Sequence, residues 1–268
     1  MARKTIGVAL SGGGARGFAH IGVLKALTEG GVPIDFIAGT SAGSFVGAAY
    51  ASGMPVSEVE RIAHLVGWFN MTGLSYSPRA LLSNAAMANF IHQHFPVSRI
   101  EDMPIAFAAV ACDLSNGDEV VFKGSGDLAT AVRASCAVPG VFSPVADEQG
   151  RLLIDGGVLA PVPVETIRAM GADVIVAVDL LACGNNFRSI PRTMIGMLFQ
   201  SAMILLRASS RSQHYVADHV IIPEIAHIRQ DELGKRGELI ELGYAAGVEA
   251  VSRINESADF APFIPPQK

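Results

Sequence analysis

The sequence predicts an α/β fold built on a mostly parallel, buried sheet. Three observations point there. Short β-rich runs alternate with helical patterns from Ile6 to Ala51, and strand-like runs recur further along the chain. Two glycine-bearing turns, Ser11 to Gly17 and Gly39 to Gly43, each join a strand-like run to a helical one. Half of the 268 residues are hydrophobic and only 17% are charged, which is enough apolar material for a substantial core. Residues 1–268 are accordingly expected to form one domain.

Taken in order, Ile6–Leu10 is a first strand and Gly17–Glu29 a helix, followed by a second strand, Ile34–Ala38, and a second helix, Ala42–Ala51. Together they make a βαβα unit. From Gly53 to Met103 the pattern turns helical and less regular. Trp68, Phe69, Met71, Leu74, Tyr76, Leu81, Leu82, Met87, Phe90 and Ile91 supply its apolar groups, and the segment is either a cap over a site or a helical flank. Further strands are expected at Ile105–Ala111, Glu119–Phe122, Leu152–Ile154, Val174–Val178 and Val220–Ile222, with a helix around Val164–Met170 introduced by Pro161 and Pro163. Thr193–Leu206 is an unusually apolar helical stretch, with Arg188, Arg192, Arg207 and Arg211 outside it. Core packing is its default reading and a lipid-facing surface the alternative. The tail Ala261–Lys268, with three prolines, is expected to be irregular.

Charge and cysteine usage remove several functions. A net charge of -5 with no basic block leaves no electrostatic footprint for nucleic acid. Cys112, Cys136 and Cys183 are widely spaced and odd in number, which argues against a disulfide framework and a zinc site and for reduced, buried thiols. The first apolar run is shorter than the central region of a signal peptide, so the mature chain is expected to begin near Met1 and to be cytoplasmic. No apolar stretch reaches the roughly 18 to 20 residues of a membrane-spanning helix, so any membrane contact is peripheral, made from the side.

Three motifs carry chemistry. Gly39-Thr40-Ser41-Ala42-Gly43 lies between a strand and a helix, the context of a G-x-S-x-G nucleophile elbow. Glycines at both ends relieve crowding in a sharp turn, and the new helix directs its unpaired N–H groups toward developing negative charge. Helix capping by Ser41 is the plainer alternative. Ser11-Gly12-Gly13-Gly14-Ala15-Arg16-Gly17 ends the first strand, where consecutive glycine amides can hold an oxyanion while Arg16 adds a charge or braces the loop. Gly12, Gly14 and Gly17 also match the spacing of a dinucleotide fingerprint. Its acid should end the second strand, yet Asp35 stands at the start of that strand, before its apolar run, and Ser41 follows the strand, so no nucleotide cofactor is expected. Asp155-Gly156-Gly157 follows Leu152-Leu153-Ile154, so a carboxylate emerges from a strand end, unless this is an ordinary turn in a hairpin. A serine hydroxyl needs such a base at neutral pH.

These segments in this order resemble the patatin-like phospholipases, particularly compact bacterial members related to the catalytic domain of neuropathy target esterase. The match extends to Arg133-Ala134-Ser135-Cys136-Ala137-Val138-Pro139-Gly140-Val141-Phe142 and covers roughly residues 5 to 180. The resemblance implies a three-layer α/β/α sandwich with a Ser-Asp dyad, Ser41 as nucleophile and Asp155 as its base with no intervening histidine. It also implies an oxyanion site at Gly12, Gly13, Gly14 and Arg16, and cleavage of fatty acyl esters of phospholipids, lysophospholipids or simpler lipids without calcium or other cofactor. Two other readings stay open: acyl transfer to an acceptor other than water, and a lipid-binding protein that has abandoned turnover. A triad completed by His214, His219 or His227 also fits the order Ser, Asp, His. The remaining histidines His20, His64, His92 and His94 are expected to be structural, and head group, acyl length and oligomeric state are not legible.

Overall fold

A computed structural model describes residues 3–75, 80–184 and 190–257, with the side chains of Trp68 and Phe69 left out. Tyr76, Arg188 and the tail from Ala261 lie outside the described residues. In chain order the elements are β1 (Ile6–Leu10), α1 (Phe18–Glu29), β2 (Phe36–Thr40), α2 (Ala42–Ala51), α3 (Val56–Ala63), α4 (Trp68–Met71), β3 (Gly73–Leu74), β4 (Ala80–Ser83) and α5 (Ala85–His94). There follow β5 (Ala106–Asp113), β6 (Glu119–Lys123), α6 (Leu128–Ser135), β7 (Gly140–Phe142), β8 (Val145–Ala146) and β9 (Leu152–Asp155). The last are α7 (Val164–Met170), β10 (Val174–Val178), α8 (Met194–Gln213), β11 (His219–Ile221) and α9 (Arg236–Ser257).

The main sheet has the order β11-β10-β1-β2-β5-β9-β8, with β6 also paired to β5. The five strands from β11 to β5 run parallel, while β6, β9 and β8 add antiparallel pairs. Helices cover both faces, giving the three-layer α/β/α sandwich. Because strand side chains alternate between faces, the two layers have different makeup. On one face Val8, Leu10, Ile37, Phe107, Val176 and Val178 join the large core with α1, α2, α5 and α6. On the other, Ala177, Ala9, Ala38 and Ala108 stand in register across β10, β1, β2 and β5, and Val164 and Ile167 of α7 pack on this flat row.

Three departures from the sequence pattern matter. The segment after Gly53 contains not only helices but a small second sheet, β3-β4-β7, in which β4 pairs in parallel with β7. Its strands are two to four residues long, too short for alternation to show. The C-terminal region forms the 22-residue α9, which lies against α1 where Gly22 and Gly243 let the two backbones approach; a Cβ on either would run into a carbonyl of the other helix. Finally, α8 does not pack into the core along most of its length, and Met203 is its buried apolar residue. Among the described residues no helix is long and apolar enough to cross a membrane.

Candidate active site

Ser41 is the single non-glycine residue at positive φ among the described residues, at φ 54° and ψ −125°. A serine pays strain energy there, and the surrounding packing has to hold it. Gly39 and Gly43 make the turn possible: a Cβ on Gly39 would run into the backbone of Gly43 and Ser44, and one on Gly43 into the Leu10 carbonyl. The Ser41 N–H donates to Ser135 Oγ at 2.9 Å, and Ser44 Oγ donates to the Ser41 carbonyl at 2.7 Å. Ser41 makes no capping hydrogen bond with its side chain, so helix capping does not account for it.

Asp155 reaches Ser41 through strand register. Along one edge of β5, β2 pairs up to Thr40 opposite Val110, and β9 takes over with Asp155 opposite Ala111. Since β6 occupies the other edge of β5, the carboxyl end of β9 meets the carboxyl end of β2. The residue after Thr40 is the serine, and the residue at the end of β9 is the aspartate. Asp155 does not sit in a hairpin; it opens a short 3-10 turn, Gly156–Val158, and its Oδ1 accepts the Gly157 N–H at 2.8 Å. Burial pushes its carboxyl up to about 6, while hydrogen bonds from the Ser41 hydroxyl and the Gly157 amide pull the other way.

The glycine loop lies beside the elbow, and a Cβ on Gly12 would stand 3.4 Å from Ser41 Cβ. Its amides are not equivalent. Gly12 N–H donates to Pro161 O at 3.0 Å and Ala15 N–H to Gln230 O at 2.8 Å. Gly13 and Gly14 N–H make no hydrogen bond among the described residues. Of the two roles expected for Arg16, the structure shows bracing. Its guanidinium is buried and donates to the carbonyls of Ile228 at 2.8 Å, Gly184 at 3.0 Å, Ala226 at 3.3 Å and Leu180 at 3.4 Å. These contacts tie the loop to segments that share no sequence motif with it. His20, fully buried beneath, donates from Nε2 to Ser11 O at 2.8 Å, and burial lowers its pKa to about 4, so the ring is neutral.

An apolar cavity of about 180 Å³ opens from Ser41, Gly14 and Ala15 and continues between α2, α3, α4 and α5, lined by Phe45, Val59, Ile62, Met71 and Met87. The segment after Gly53 therefore covers the site. Ser135 and Cys136, which lie in the linking stretch but had no role assigned from sequence, hold the elbow amide and line the cavity respectively. Burial raises the Cys136 thiol, which keeps it protonated. The three histidines of the alternative triad are engaged elsewhere: His214 Nε2 lies 2.8 Å from Asp179 Oδ2, His219 Nε2 2.8 Å from Ser257 Oγ, and His227 Nε2 2.8 Å from Glu238 Oε1. Among the described residues no cluster of three or more His, Cys, Asp or Glu side chains could hold a metal ion.

Comparison with known proteins gives the family and the fold. The family described as patatin-like phospholipase matches residues 8–167, a span that includes all three motifs. Patatin-like phospholipase domain-containing protein 6 of Mus musculus is 39% identical over 186 residues, which are 66% of this chain and 14% of that protein. Lysophospholipase NTE1 of Coccidioides immitis (strain RS) is 39% identical over 191 residues, 68% of this chain and 12% of the relative. The chain thus spans about one-seventh of the length of these curated relatives. Among solved structures, VipD from Legionella pneumophila superposes with a TM-score of 0.64 at 14% identity, covering 94% of this chain and 67% of VipD. The ExoU-SpcU complex from Pseudomonas aeruginosa gives 0.52 at 16% identity, covering 96% and 52%. Both show likeness of fold.

Proposed function

As the chain belongs to the patatin-like phospholipase family, we propose that it is a serine acyl-ester hydrolase acting on lipids, with Ser41 and Asp155 as a two-residue catalytic pair. Ser41 Oγ attacks the ester carbonyl carbon while Asp155 takes its proton. The electron pair of the carbonyl moves to oxygen, and the amides of Gly13 and Gly14 receive that charge. Asp155 then returns the proton to the departing alcohol, leaving an acyl group on Ser41. Water, deprotonated by Asp155, attacks this acyl-enzyme; the bond between Ser41 Oγ and the acyl carbon breaks, Asp155 returns the proton to Ser41 Oγ, and the acid is released.

The observation that carries the reading is the meeting of a strained serine at the mouth of an apolar cavity with a buried carboxylate whose pKa stands near 6. That value makes Asp155 a stronger base than an ordinary aspartate yet leaves it ionised at neutral pH. The apolar cavity beside Ser41 suits a hydrocarbon chain, and the engagement of His214, His219 and His227 with other partners supports proton transfer to the aspartate.

The test is a comparison of products formed from a mixed lipid extract by the protein and by Ser41→Ala. The proposal expects free fatty acid and deacylated lipid from the first and neither from the second. Equal product from both variants would remove Ser41 from the mechanism. Transfer of the acyl group to an added alcohol in place of release as acid would assign the acyltransferase reading instead.

A further inference from the structure

Helix α8 presents apolar side chains to solvent where a globular chain would bury them. Met194, Ile195, Leu198 and Leu205 are 76%, 76%, 65% and 70% exposed. Met194, Leu198 and Leu205 fall at positions i, i+4 and i+11, so they share one outward stripe of the helix. The inward side is held by Met203 and Ser210 and by Arg207, which donates to the Ala182 carbonyl at 3.4 Å. A stripe of this size on a surface marks a contact site.

Charge identifies the partner. From Leu180 to Ala217 the sequence carries Arg188, Arg192, Arg207 and Arg211 and not one Asp or Glu, although the whole chain has a net charge of -5. Arg192 is exposed just before the helix, and Arg211 is exposed in its last turn, where it also donates to the Ala182 carbonyl at 3.3 Å. A second copy of this chain is disfavoured, because a two-fold contact sets this cationic patch against itself. An anionic headgroup layer is complementary to the arginines, and the acyl region beneath it accepts the apolar stripe. The helix also adjoins the site: Leu206 Cδ2 would be 3.6 Å from a Cβ on Gly157, two residues from Asp155, and Val158 and Leu159 in the same turn are exposed.

We infer that α8 lies in the surface of an anionic lipid bilayer and seats the Ser41 cavity on it, so that lipid enters the site without crossing water. The inference rests on the proposed lipid hydrolase, and its test separates the two. Flotation uses the full chain carrying Ser41→Ala, which keeps the lipid intact, with phosphatidylcholine vesicles containing or lacking about 30 mol% phosphatidylglycerol. The protein should float with the anionic vesicles. Combined Ile195→Gln, Leu198→Gln and Leu205→Gln should weaken that partition about tenfold or more. Arg192→Gln with Arg211→Gln should weaken it on anionic vesicles alone, and high salt should do the same to the parent. With Ser41 restored, both sets should cleave a short water-soluble ester at the parent rate, showing that the fold and site are intact. Equal flotation with and without the glutamines, no flotation of the parent, or a dimer that the glutamines dissolve would each overturn the inference. Flotation as expected with no ester cleaved would leave the docking surface standing and remove the hydrolase.

Discussion

Asp155 is 6% exposed, and that burial has opposite consequences for catalysis and for stability. Raising its carboxyl from 3.8 to about 6 makes it a useful base, so kcat/KM should fall toward acid with a midpoint near pH 6, measured on a soluble ester. The same shift favours the folded protein when the group is protonated. Its contribution is fully present below pH 3.8 and is lost as pH rises through about 6. Asp155→Asn keeps the shape and the acceptor for Gly157 N–H but removes the buried charge. It should therefore abolish turnover by about a thousandfold or more while raising stability at pH 7.5 by up to about 3 kcal/mol, read by urea unfolding. Loss of activity together with lower stability would mean that the carboxylate is well solvated and that its raised pKa is not the source of its basicity. Ser135 makes a second residue-scale case. Ser135→Ala leaves the buried Ser41 amide unpaired, which should cost about 1 to 3 kcal/mol and lower kcat, because the strained elbow loses the bond that fixes it.

At the scale of elements, the proposed mechanism gives the glycine loop its role through the Gly13 and Gly14 amides, which make no hydrogen bond among the described residues. Gly14 lies at φ +57°, and a Cβ there would stand 2.6 Å from Gln230 O, the acceptor of the Ala15 amide. Gly14→Ala should displace the loop and reduce kcat more than it raises KM in steady-state assays on a soluble ester; a change confined to KM would assign the loop to ground-state binding. The segments of the candidate site are legible in the sequence because each sits where a strand changes into something else, and β1, β10 and α2 have the bounds that the pattern predicts. What could not be read was register. The handover from β2 to β9 along β5 joins residues far apart in the chain, and local periodicity carries no information about it. Helix α6, which ends in Ser135, was not foreseen either, since its short alanine-rich run lacks a decisive period. For Arg16 the motif suggested two roles, and only the folded positions of Leu180, Gly184, Ala226 and Ile228 distinguish them.

Across the whole molecule, the site depends on parts that carry no chemistry. Arg16 ties the glycine loop to carbonyls in the second half of the chain, and α9 clamps α1, the helix that follows that loop. Gly22→Ala drives a methyl group into the Ile240 carbonyl of α9 and should cost about 2 kcal/mol or more in urea unfolding, despite lying outside the cavity. Such dependence explains why the region beyond the matched residues is part of the working structure even though it offers no motif. The central claim, that Asp155 alone activates Ser41, is tested most directly by reaction with a fluorophosphonate followed by peptide mapping. The parent protein should carry one adduct, on Ser41, formed at a rate that rises with pH about a midpoint near 6. Asp155→Asn should label at least a hundredfold more slowly, by about the loss expected when a general base is removed, and His214→Gln should label like the parent. Rapid labelling of Asp155→Asn together with loss of labelling in His214→Gln would contradict the dyad.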